Sequence, residues 1–275
     1  MSGRGRAFHP LLLGVAATVL ALVTLASLGA PATLLGLHAI ASIVGFVIAL
    51  IILRSRFRIP TAIAIVAALA LLAVAQWGIE VDDARRWIRL GPLTLQPALF
   101  LLPAVIATPD RRIRLVAIAI AMVALALQPD SGTLGALALA LLADLTARRR
   151  LGTAALLLFA IPLILWSASG GLGPAPVPYV EGVVSDALSS GILPAALAVA
   201  ALGAGTLALR WSPPLLLFFG GLLAVSILGP FPTPLLGASA SAILGFWVAV
   251  GRVARDRTDN RLTQGRVKAL ETSMG

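Results

Sequence analysis

The chain has 275 residues, 21 Lys and Arg against 11 Asp and Glu for a formal charge of +10, and is 59% hydrophobic with a mean hydropathy of +1.01. A soluble domain of this length is nearer half apolar, whereas here apolar runs of about 20 residues recur throughout, each able to cross a hydrocarbon core of roughly 30 Å. These values exclude a soluble globular enzyme, and in a membrane protein the positive charge reports topology and anionic headgroups rather than nucleic acid.

Continuous apolar runs, unlike alternating ones, mean helices rather than a barrel. They fall near 11–29, 33–53, 60–77, 95–108, 113–127, 132–147, 152–168, 188–209, 214–229 and 235–251, which predicts a polytopic all-α bundle of about ten transmembrane helices. The first run follows a basic start but is long for a signal peptide, so it reads as a retained helix. The fourth carries Pro97 and Pro103 and is short, so a kinked or partly re-entrant span is expected. His9 reads as interfacial and His38 as a helix-packing residue; the two lack ligand spacing. Without cysteine there is no disulfide framework and no thiolate metal site. Asp144 is expected to pair with Arg148 one turn on, and Asp130 to cap the helix that follows it. Residues 1–251 form one membrane domain, and 252–275 a basic cytoplasmic tail.

Placing the basic residues on alternating sides puts all but three of the 21 on one face, which fixes both termini inside. The exceptions, Arg85, Arg86 and Arg89, lie in VDDARRWIRLGPLTLQP (81–97), between the third and fourth spans. Two readings stand side by side. Glu80, Asp82 and Asp83 can neutralise these arginines while Trp87 anchors at the interface. Alternatively, the guanidinium forks bind an anionic headgroup on the outer face. Six acidic residues also face outward: Glu80, Asp82, Asp83, Asp130, Glu181 and Asp186. The loop 169–186 is the other outer segment with room for a site. Walker, GxGxxG, zinc-hydrolase and GxSxG patterns are not evident.

Three outer segments, ARRWIRLGPLTLQP (84–97), QPDSGT (128–133) and PFPTPLLGASAS (230–241), resemble the SEDS family of cell-wall proteins, the FtsW, RodA and SpoVE group. That family shows ARRWI..G....QPSE after the third helix, QPDxGT between the fifth and sixth, and PLPFxSYGGS before the tenth. The resemblance implies a multi-pass protein of the bacterial inner membrane that polymerises peptidoglycan glycan strands from lipid II, or handles another undecaprenyl-pyrophosphate lipid, at the outer leaflet. It further implies a partner membrane subunit, usually a class B penicillin-binding protein. An essential carboxylate after the seventh helix serves the family as general base or metal anchor, so a divalent cation stays open although no metal set is read from this chain. PYVEGVVSDALSSG (178–191) is similar to the family's P...TDFIF.....G stretch; with one deletion Glu181 falls at the carboxylate, and Asp186 is the other candidate. Carried over as lipid-binding positions are Arg85, Arg86, Trp87, Gln96, Gln128, Asp130 and Ser241.

The departures are equally specific. Ala98 and Leu99 stand where QPSE ends, Ala238, Ser239 and Ala240 replace the tyrosine and glycine pair, and the loop after the seventh span is only about 18 residues. The resemblance is thus compatible with an active glycosyltransferase or with an inactive subunit that keeps the lipid site. A lipid transporter would need ionisable residues at mid-membrane depth, and the spans carry almost none.

Overall fold

The computed structural model describes residues 8–55, 62–81, 84–91, 93–148, 151–169 and 176–274, with the backbone alone for 147–148 and 260–274. The apolar runs form α1 (His9–Ser27), α2 (Ala32–Arg54), α3 (Ala62–Trp77), α4 (Pro97–Ile106), α5 (Arg111–Leu127), α6 (Ser131–Arg148), α7 (Leu151–Ser169), α9 (Ile192–Leu209), α10 (Pro213–Leu228) and α11 (Ala240–Met274), with a short α8 (Val183–Ser189) inserted before α9. The protein is a multi-pass membrane bundle. Four helices, α1, α2, α7 and α9, are apolar over 18 residues or more, and the remaining spans are shorter or end in charge. α4 has 10 residues with Pro103 inside it, about 15 Å of helix.

Local chemistry sets the boundaries. Pro10, Pro97 and Pro213 open α1, α4 and α10, where a missing N–H costs nothing. The Asp110 carboxylate accepts from Ile113 N at 3.0 Å to start α5. The span expected at 188–209 is broken instead at Gly191, whose φ of +124° only glycine adopts readily, so α8 and α9 are separate. α11 continues without a break from the last span into the basic tail.

α11 is the central element, packed against α2, α4 and α1, while α1 lies along α9, α10 against α6, and α3 against α5. Such close approach needs small residues, because lipid tails supply no hydrophobic drive between helices. A Cβ on Gly45 of α2 would sit 2.5 Å from the fully buried Trp247 ring, so the glycine makes the notch that the indole fills.

The charges sort to two ends as the alternation requires. At the inner end Arg114 pairs with Asp144 at 3.2 Å, Arg252 donates to Ala107 O at 2.7 Å, and Arg255 donates to Ser55 at 3.1 Å. The Arg148 side chain, expected beside Asp144, lies outside the described residues. Arg210 and Arg257 stack on Trp211 at 4.1 and 3.7 Å, and His9 meets that ring edge-on at 5.6 Å.

At the outer end the α3–α4 connection folds into an antiparallel meander, β1 (Ile79–Val81), β2 (Ala84–Leu90) and β3 (Leu93–Leu95), in the order β1-β2-β3. The sequence reading gave this segment as a loop. Gly91, at φ +59°, turns β2 into β3.

Candidate functional site

β2 decides between the two readings of its arginines, because strand side chains alternate faces. Arg85 points outward and is neutralised: Nε and Nη2 lie 2.7 and 2.6 Å from Glu80 Oε2, and Nη1 donates to Gln76 O at 3.1 Å. Arg86 points inward. It is 5% exposed, its Nε is buried with no hydrogen-bond partner, and its guanidinium carbon lies 5.5 Å from the Trp87 ring centroid. Arg89 is exposed, and Asp82 and Asp83 lie outside the described residues.

Arg86 faces a cavity of about 440 Å³ walled by the start of α2, the sheet, residues 177–181 and residues 230–241. The last two segments are zipped together. Thr233 N donates to Val180 O at 2.9 Å and Ala238 N to Tyr179 O at 2.8 Å, with Glu181 bridging to Pro232. A Cβ at Gly237 would run into Val180 O, so only glycine permits the approach. Tyr179 and Leu235 hold left-handed φ values of 62° and 69°, local strain that the zipped backbone sustains. Ser241 Oγ accepts from Gln96 N at 2.8 Å, tying the start of α11 to the start of α4. The first residues of α11 line the cavity, so the positive end of its dipole adds to Arg86.

Glu181 lines the same cavity. Burial pushes its carboxyl above the usual carboxylate range, opposed by the hydrogen bond from Val177 N at 2.9 Å and by the Arg86 charge. Its carboxylate is therefore more basic than a solvated one. Among the described residues no three His, Asp or Glu side chains gather as a metal set. A divalent cation here would take Glu181 as its protein anion and draw its remaining oxygens from ligand phosphates and water.

The structure thus brings together Arg86, Trp87, Gln96, Glu181 and Ser241 on one lining. Arg85 stands behind the sheet. Asp130 is completely buried beneath the lining, accepting from Gln96 Nε2 at 2.7 Å and capping α6 through Thr133 N at 3.1 Å. Gln128, also completely buried, donates to Leu71 O at 2.7 Å and joins α5 to α3. Asp186 is exposed on the first turn of α8, off the lining. Thr94 and Ser239 also line the cavity and were not singled out from the sequence. Ser239 sits two residues from Ser241 in a segment already marked, whereas nothing local points to Thr94.

By sequence the chain matches no protein-family profile and no curated protein. By structure it is similar to the rod shape determining protein RodA of Thermus thermophilus, with a TM-score of 0.63 at 21% identity over 92% of this chain and 96% of that one. A mutant of the same RodA gives 0.61 at 23% identity, over 91% and 97%. A chain of a peptidoglycan synthase complex, described for its coordination of polymerization and crosslinking, gives 0.60 at 20% identity, over 91% and 97%. The fold is that of RodA across nearly the whole chain, so the SEDS resemblance seen in three short segments extends to the bundle.

Proposed function

We propose that this protein acts in peptidoglycan assembly, holding an undecaprenyl-pyrophosphate glycolipid of the lipid II class at the outer leaflet of the bacterial inner membrane and polymerising its glycan. The observation that carries the reading is the pairing of an inward, unpartnered arginine with a half-buried basic carboxylate on one cavity at headgroup level. Arg86 and the first N–H groups of α11 offer fixed positive charge to a pyrophosphate. Glu181 accepts the proton of the acceptor sugar hydroxyl as its oxygen bonds to the anomeric carbon. The bond from that carbon to the pyrophosphate oxygen breaks, and the pyrophosphate leaves with the electron pair, steadied by Arg86. A class B penicillin-binding protein, or another membrane subunit, is the partner the SEDS resemblance implies, in keeping with a peptidoglycan synthase complex that contains a chain of the same fold.

A second reading, a lipid-holding subunit without turnover, is favoured by one feature: Ala98 and Leu99 replace the Ser-Glu pair of QPSE, and both are buried. Purified protein, with and without a partner transpeptidase, is assayed for glycan strands from lipid II beside Glu181→Gln and Asp186→Asn. Polymer from wild type and Asp186→Asn but not from Glu181→Gln supports catalysis. Saturable lipid II binding without polymer, lost in Arg86→Gln, supports the subunit, and absence of both refutes the proposal.

A further inference from the structure

A second cavity lies at the opposite level of the bundle, with no part in the outer site. It encloses about 280 Å³ among the inner ends of α2, α3 and α4 and the middle of α11, with walls that include Ala64, Phe100, Ala104 and Val248, and with Arg252 on its lining. Arg252 donates to Ala107 O in the turn between α4 and α5, which places it at the inner end of the bundle. The neighbouring wall residue Ile63 is 45% exposed on the bundle surface, so the cleft opens toward lipid.

Arg252 is 7% exposed. One guanidinium nitrogen donates to Ala107 O at 2.7 Å, the nearest carboxylate is Asp256 at 4.0 Å and largely solvated, and Nε is buried without a partner. A buried guanidinium with an unmatched donor requires an acceptor, preferably an anionic one. The apolar walls disfavour water as that acceptor. They are also too narrow for a helix of about 10 Å diameter, yet suit a single hydrocarbon chain. Thr108 does not compete, because its hydroxyl already donates to Ala104 O at 3.0 Å.

The structure assigns this cleft to one anionic phospholipid of the inner leaflet, with its phosphate beside the Arg252 guanidinium and an acyl chain against Ala64, Phe100 and Ala104. Phosphatidylglycerol carries a net negative charge, whereas the choline of phosphatidylcholine offsets the same phosphodiester, so one cation beside the headgroup separates the two by roughly fivefold. The site is separate from the outer cavity, so its fate does not depend on the glycolipid reading.

The test uses the full chain, purified in detergent, stripped of lipid, and titrated with phosphatidylglycerol or with phosphatidylcholine of identical chains, counting bound lipid by native mass spectrometry. Wild type is expected to saturate one site with phosphatidylglycerol at roughly fivefold lower concentration than with phosphatidylcholine. Arg252→Gln brings the two lipids within about twofold. Ala104→Phe, which fills the cleft, removes the tight lipid whatever its headgroup, and Arg85→Gln, which breaks only an exposed pair, leaves the preference intact. Equal affinity of wild type for both lipids overturns the assignment, as does a preference that survives Ala104→Phe. Where Arg252→Gln does not fold, Ala104→Phe and Arg252→Met carry the test; a preference undiminished in Arg252→Met also overturns it.

Discussion

Replacing Gln96 by Met separates scaffold from site. The Gln96 amide donates at 2.7 Å to Asp130 Oδ2, and Asp130 is completely shielded from solvent, so its other recorded bond is the cap from Thr133 N at 3.1 Å. Met fills nearly the same volume but leaves Oδ2 of a buried carboxylate without its donor. Such an orphaned acceptor costs about 2–3 kcal/mol. For a chain of this size that corresponds to a fall in Tm of roughly 4–10 °C. The backbone bond from Gln96 N to Ser241 Oγ does not involve the replaced atoms, so the α4–α11 joint and the cavity lining persist. Thermal unfolding in detergent, followed by tryptophan fluorescence, measures the loss; lipid II binding by the same preparation should change little at low temperature. Asp130→Ala alone and the double variant complete a cycle, and the two losses must fall short of additivity by about 1 kcal/mol or more. A Tm within 1 °C of wild type for Gln96→Met, or full additivity, would refute the buried link.

Arg86→Gln should weaken lipid II binding at least about tenfold, whereas Arg85→Gln, which breaks only a solvent-exposed pair, should stay within about twofold in the same titration. Glu181 titrates from a position raised above its ordinary value of 4.5. Because the folded state holds this proton more tightly than the unfolded chain, the residue lowers stability as pH rises through the window above 4.5. The Tm of wild type minus that of Glu181→Gln should therefore decline across that window while wild-type polymerisation climbs, and a flat difference contradicts the buried carboxylate. Gly237→Ala forces Val180 O away from the 230–241 segment; a shift near 1 Å costs on the order of 100-fold in rate. Steady-state assays with a parallel melting curve should show that loss exceeding any change in stability.

The membrane helices were legible because each is built on an apolar run, four of them 18 residues or longer, a property visible without partners. The grouping of charge at two ends of the bundle was legible because arginines obey a rule about loops rather than contacts. The sheet was not legible. RRWIRL pairs two charged residues and then two apolar ones, so no period-two pattern outweighs the reading of a polar loop. The alternation of faces along a strand is what turns Arg85 to Glu80 and Arg86 to the cavity, so the missed strand held the answer to which arginine is free to bind. The Gln96–Ser241 bond joins residues 145 apart, and Gln96–Asp130 joins residues 34 apart. Neither leaves a local period, and only the family motifs marked those residues at all. The break at Gly191 was hidden because a lone glycine beside an apolar run signals a bend only once the backbone is seen.

The missing carboxylate of the QPSE-like segment poses the last question, whether it can be restored. Leu99 is 2% exposed in the first turn of α4, and a Cβ at Gly245 would collide with the Leu99 carbonyl oxygen, so α11 lies against this turn backbone to backbone. Leu99 is not on the cavity lining, and a glutamate there would enter a packed seam with no recorded donor waiting. Leu99→Glu should therefore lower Tm by roughly 10 °C, the order expected for a buried carboxylate without a partner, and should not raise polymerisation. On the proposed reading Glu181 is then the only base within reach of an acceptor hydroxyl among the described lining residues. Its loss in Glu181→Gln has no neighbour to compensate it. If Leu99→Glu were stable and increased glycan synthesis, the first turn of α4 would have to face the cavity, and the single-carboxylate account of the site would fall.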